Sequence, residues 1–285
     1  PVVMGLHEPA WWAWPAHYEW FDRNYMKLML PIYMRKSRHL FPISQFVIDE
    51  TRKYLKVPFE NKTTVAYPAP EAYFCPIKDV SALENFRYRY KLPEKFILTI
   101  TRVDHPGLDK SISFFPGKNV ETTIRAFMIC QSNVPHSLVV AGRRVRDYLL
   151  HTGFKEADFE RIHFTDFVPH EELPKLFSLA DLFVIPSFYE SYAMALVEAM
   201  ACGCPAVASQ TAAIPEITAG ATLLADPHDP EDFADKMRLV LTDEKLYTDL
   251  RSRSLDRATF FNGESAAKLL LDTIEQVVQR SKSLN

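Results

Sequence analysis

From Phe96 onward, short runs rich in β-branched and aromatic residues recur between stretches of helical pattern, and this alternation restricts the fold more than any other feature of the chain. The runs cover residues 96–101, 137–141, 161–164, 182–186, 205–208 and 222–224. Strands that alternate with helices pair in parallel, because a parallel neighbour is reached only through a crossover, and the helices then cover both faces of the sheet. The expected fold class is therefore α/β and doubly wound. Sheets of this kind take ligands beyond the carboxyl ends of their strands, so the loops after Thr101, Ala141 and Pro186 are where chemistry is expected.

Upstream, the opening Pro1-Val2-Val3-Met4-Gly5-Leu6 reads as a buried strand rather than a natural terminus, and further sequence is expected before it. Four tryptophans (Trp11, Trp12, Trp14, Trp20) follow at once. Helices are expected over residues 20–36 and 46–56, and strands over 40–44 and 63–67, which together make the back half of an α/β domain. Pro68, Pro70 and Pro76 then interrupt the pattern, and the polar stretch up to Glu94 reads as a connector or lid. The expected division is a partial first domain with linker over 1–90, a second domain over 91–262, and a helix within 263–285 that packs back toward the first.

With 285 residues and 47% hydrophobic content, the chain can bury real cores. A net charge of -3 gives no electrostatic reason to bind nucleic acid. The charge is uneven, however: residues 1–66 carry 9 Lys/Arg against 6 Asp/Glu. Ordinary scatter and a basic patch facing an anionic membrane or acceptor both account for that excess. Four cysteines (Cys75, Cys130, Cys202, Cys204) form neither a disulfide framework nor a zinc-ligand spacing, which suits a reducing, cytoplasmic compartment. No apolar run approaches the ~20 residues that span a bilayer.

The chemistry concentrates in residues 180–203. A buried strand ends at Pro186-Ser187, a polar loop carries Glu190, and a helix begins near residues 191–193 and stops at Gly203. Free amides at the start of that helix, aided by its dipole, would hold a diphosphate, and Ser191, Ala193 and Ala195 are small enough for close backbone approach. Glu198, more than a turn into the helix, offers two acceptor oxygens to vicinal ribose hydroxyls, and Glu190 offers the same to hydroxyls of a sugar. Two solvated carboxylates on a helix surface would show the same spacing.

The flanks of the pair distinguish these readings. Glu190, Glu198 and the run Ala199-Met200-Ala201-Cys202-Gly203-Cys204-Pro205 resemble the E-x7-E signature of the retaining glycosyltransferases of family 4. The resemblance extends from Phe96 to the end of the chain. It implies a GT-B fold, two Rossmann-like domains of which the first is only partly present here. It also implies an enzyme of the hexosyltransferase class: a hexose moves from a nucleoside-diphosphate donor, such as a UDP- or GDP-hexose, to a glycan or lipid-linked acceptor, with retention and without a cofactor or metal. Ser191-Tyr192-Ala193 stands where the family usually has Gly-Phe-Gly.

On the same resemblance, Arg102 and Lys118 are the cations at the donor diphosphate. Charge builds on the departing phosphate as its bond breaks, and cations placed there stabilise the transition state more than the ground state. His7, at the end of the opening strand, matches a histidine that lies beside the transferred sugar. Gly142 matches a turn beside the nucleotide, and Val168, within Phe167-Val168-Pro169, the nucleobase region. Ser191, Tyr192, Ala193 and Met194 make up the donor cradle with Glu198. The tryptophan-rich opening with its nearby cations suits either core packing or peripheral contact with the inner membrane face. Two alternatives stay open: a nucleotide-sugar-binding fragment without turnover, and a glycoside hydrolase, which would place its carboxylates on opposite sides of a scissile bond.

Overall fold

The computed structural model describes residues 2–15, 18–101 and 116–282. The chain divides into two compact units, residues 1–69 with 261–285, and residues 70–260.

In the first unit, β1 (Val3–Leu6) is followed by α1 (Ala10–Ala13), α2 (Trp20–Lys36), β2 (His39–Pro42) and α3 (Gln45–Tyr54). β1 and β2 pair in parallel, with Val3 opposite His39. Leu6, Leu30, Met34, Leu40, Val47 and Phe59 form the core. Ser44 caps α3 by accepting from Val47 N at 3.2 Å. The tryptophans separate: Trp11 and Trp12 pack against the core, whereas Trp20 is 71% exposed on α2, beside exposed Phe21, Tyr25 and Leu28. The expected strand over 63–67 does not form. Residues 64 and 66 donate to the carbonyls of Leu40 and Pro42, and Leu40 and Thr63 form an isolated bridge. Pro42 has no N–H to return to that edge, so the ladder stops there.

The second unit begins at Pro70 and takes in α4 (Val80–Tyr90). The stretch read as connector or lid therefore contains a helix, and the division falls at residue 69 rather than 90. The physical cause is local: Asp79 caps α4, Phe86 is buried in the core of this unit, and Arg89 and Tyr90 bond Glu172 at 2.6 and 3.0 Å. After α4 come β3 (Phe96–Ile100), α5 (Val120–Cys130), β4 (Ser137–Ala141), α6 (Val145–His151), β5 (Ile162–Asp166) and α7 (Leu173–Leu179). Then follow β6 (Leu182–Ile185), α8 (Met194–Ala201), β7 (Ala206–Ser209), α9 (Ile214–Thr218), β8 (Leu223–Ala225), α10 (Pro230–Thr242) and α11 (Glu244–Ala258). The last helix, α12 (Gly263–Lys282), belongs to the first unit.

The six strands of the second unit form one parallel sheet in the order β5-β4-β3-β6-β7-β8. Alternate residues of each strand face opposite layers. Ile97, Leu138, Val140 and Val184 pack with α5 and α10, while Leu98, Val139, Phe183 and Ile185 pack with α7 and α8. Strand order reverses between β3 and β6, and a crevice opens at such a switch point beyond the carboxyl ends. No described helix is long and apolar enough to cross a membrane.

Candidate active site

The loop between β6 and α8 sits at this switch point and is held by three neighbours. Phe188 N donates to Gly117 O at 2.7 Å, Ala213 N donates to Glu190 O at 3.1 Å, and the Thr211 hydroxyl donates to Phe188 O at 3.1 Å. Asn119, before α5, completes the frame by donating to the carbonyls of Pro186 and Pro227 at 2.9 and 2.8 Å. These bonds bring Lys118 and Glu190 together although they lie 72 residues apart: Lys118 Nζ meets Glu190 Oε1 at 2.7 Å, and Ser187 Oγ donates to the same oxygen at 2.8 Å.

Ala193 precedes α8 in the left-handed region, at φ 69°, and its methyl group makes no capping hydrogen bond. A Cβ there costs roughly 1–2 kcal/mol, the burden that a glycine would escape. Ser191, Tyr192 and Ala193 are buried and Met194 is half-buried at the first helical position. α8 ends at Ala201, two residues short of Gly203, which adopts φ 69° as the terminating residue.

Glu198 is 4% exposed, and its Oε1 lies 2.8 Å from Nε2 of His170. Burial pushes its carboxyl above the usual carboxylate range, against the opposing pull of the His170 contact. His170 opens a short 3-10 turn after Pro169, and its Nδ1 lies 2.8 Å from the Tyr73 hydroxyl. The same histidine lines a cavity of about 380 Å³ with Thr101, Gly142, Arg143, Phe167 and Val168, beyond the ends of β3, β4 and β5. The Thr101 hydroxyl is buried and has no partner among the described residues. The Arg143 guanidinium lies 4.5 Å from the Phe167 ring centroid.

Gly142 is required here for a reason internal to the chain. At φ 151°, a Cβ on it would stand 2.2 Å from the Thr101 carbonyl oxygen. Asp166 takes φ 54° and accepts from Gly142 N through its carbonyl at 2.9 Å.

Of the expected site residues, Lys118, Glu190, Glu198, Ser191 to Met194, Gly142 and Val168 all lie in the second unit, around the ends of β3 to β6. His7 is exposed at the end of β1 in the first unit. Arg102 lies outside the described residues. His170 and Tyr73 were not singled out by sequence reasoning; the signal available was that His170 directly follows Phe167-Val168-Pro169. Cys202 and Cys204 are buried packing residues, and burial pushes the Cys202 thiol up to about 12. Among the described residues, no group of three His, Cys, Asp or Glu is placed to hold a metal.

The architecture has close relatives among solved structures. The Anabaena protein HepE, solved in complex with UDP-glucose, superposes with a TM-score of 0.78 at 18% identity, over 97% of this chain and 72% of that one. A sucrose-phosphate synthase from Thermosynechococcus elongatus gives 0.75 at 20% identity, over 98% and 68%. The fold is the GT-B fold of glycosyltransferases.

The sequence comparisons take this a step further. Residues 111–257 match the family described as glycosyl transferases group 1, and the chain belongs to that family. Curated relatives include the serotype-specific mannosyltransferase WbdA of Escherichia coli, 26% identical over 256 residues and 86% of this chain. The O-antigen chain mannosyltransferase B of Escherichia coli is 24% identical over 93% of this chain and 67% of its own length. The chain spans 30% of the length of WbdA.

Proposed function

We infer that the second unit binds a nucleoside-diphosphate hexose and that the protein transfers the hexose to a glycan or lipid-linked acceptor with retention at the anomeric carbon. The observation that carries this reading is the placement of Lys118, Glu190 and Glu198 around the loop and helix α8 at the switch point of the sheet. Helix-start amides favour a diphosphate, and the cavity lined by Thr101, Gly142 and Val168 offers a base-sized space beside Glu198. The mannosyltransferase relatives and the UDP-glucose complex of HepE favour a hexosyl donor.

In this reading, an arriving diphosphate takes over the Lys118 ammonium, and Glu190, relieved of its cation, accepts from hydroxyls of the sugar. The bond from anomeric carbon to phosphate oxygen breaks with its electron pair on the diphosphate. The acceptor oxygen bonds that carbon on the same face, and its proton passes to the leaving phosphate. Lys118 and Arg102 stabilise the charge that develops. The first unit then carries acceptor recognition. Its α2, which exposes Trp20, Phe21, Tyr25 and Leu28 among Arg23 and Lys27, is the surface we assign to peripheral membrane contact.

The test is product analysis by NMR after incubation with α-configured UDP- and GDP-hexoses and saccharide acceptors, with and without EDTA. An α-linked product with equimolar nucleoside diphosphate, unchanged by EDTA, is expected. A β-linked product, or free hexose released without a nucleotide sugar, would overturn the reading.

A further inference from the structure

His170 is built into the donor site more firmly than a half-exposed surface histidine needs to be. Both ring nitrogens are engaged, Nε2 with Glu198 and Nδ1 with Tyr73, each at 2.8 Å. The ring packs 5.0 Å from that of buried Phe74. Its turn is pinned through Glu172, which accepts from Arg89 and Tyr90 on α4. A hydroxyl that donates to Nδ1 leaves the proton on Nε2, directed at the carboxylate, so Tyr73 selects the tautomer that can donate to Glu198.

The consequence falls on Glu198. A carboxylate held by one oxygen has a fixed plane, and its second oxygen is then presented in one direction. Burial alone favours its protonated form, which has less capacity to accept; a donor at Oε1 counters that tendency. His170 also lines the cavity beside Glu198, so it stands where the base and ribose of a nucleotide would meet.

We propose that His170, with Tyr73 behind it, is a positioning residue for the donor ribose: it orients Glu198 and so lets the site distinguish a ribose from one lacking its 2′ and 3′ hydroxyls. The inference rests on Glu198 being the ribose carboxylate of the donor site. It concerns discrimination within that site, not the existence of the site.

The experiment measures dissociation constants by calorimetry for GDP and UDP and for their 2′,3′-dideoxy counterparts. Wild type is expected to favour the ribose form of the nucleotide it binds by about tenfold, the scale of hydrogen bonds to a charged group. His170→Ala should bring that preference to within about twofold, and His170→Gln, which keeps an N–H donor, should restore most of it. Tyr73→Phe should lose part of it, and provides the test should His170→Ala fail to fold. In a Glu198→Gln background, His170→Ala should have no further effect on the preference. Retention of the full preference in both His170→Ala and Tyr73→Phe would overturn the inference while leaving the donor site intact. Equal binding of ribose and dideoxyribose forms by wild type would remove the role of Glu198. No binding of any nucleoside diphosphate would remove the functional reading itself, and the inference with it.

Discussion

Glu198, the carboxylate proposed to hold the donor ribose, shows what burial costs an acidic group at the residue scale. Water is excluded from it, and its carboxyl sits above the ordinary range because burial outweighs the contact with His170. A carboxyl with a raised folded pKa binds its proton more readily in the folded chain, so the folded state gains stability from it below 4.5 and loses that gain as pH climbs through the raised value. Glu198→Gln keeps an acceptor for His170 without the charge. Melting curves against pH are expected to show this variant about 2 °C above wild type at pH 8, with the gap closing toward pH 4. Its affinity for nucleoside diphosphates should fall at the same time. A variant less stable than wild type at pH 8 would contradict this account. Spacing and flanking residues single out Glu190 and Glu198 in the sequence as candidates, but not the partners the structure gives them. Lys118 meets Glu190 across 72 residues and His170 meets Glu198 across 28, through loop bonds that no local pattern encodes.

At the scale of elements, the start of α8 is where a left-handed turn and the proposed donor site coincide. Its start needs a left-handed residue, and the chain places Ala193 there at φ 69°. Ala193→Gly should stabilise by about 0.5–1 kcal/mol, since relief of strain exceeds the added freedom of the unfolded chain, while Ala193→Val should cost about 1–2 kcal/mol. Urea denaturation midpoints decide this; equal midpoints for the three chains would mean that the turn carries no strain. The alternation of strand and helix from Phe96 onward was readable because strands buried on both faces form continuous apolar runs. α4 escaped because it buries so little of itself: Phe86 is its buried residue and Tyr88 is 87% exposed, so no apolar stripe marks it. The run at 63–67 looked like a strand by composition, yet Pro42 on its neighbour denies it a continuing ladder.

For the whole molecule, the sheet order β5-β4-β3-β6-β7-β8 brings three separate stretches to one crevice: the turn before α5, the turn after β4 and the start of α8. Each is ordinary alone, a lysine, a glycine and a helix start. In the proposed reading they together offer a cation, a close backbone approach and helix-dipole charge to one anionic ligand. The sequence announced the class of sheet, but the boundary at residue 69 depends on contacts of α4 that composition does not reveal. The direct test is a crystal structure of the chain with UDP or GDP. The account predicts the pyrophosphate against the backbone at residues 193–195 with Lys118 beside it, the ribose on Glu198 next to His170, and the base in the cavity lined by Thr101, Gly142 and Val168. A diphosphate bound elsewhere, with the start of α8 closed by the protein's own side chains, would contradict it.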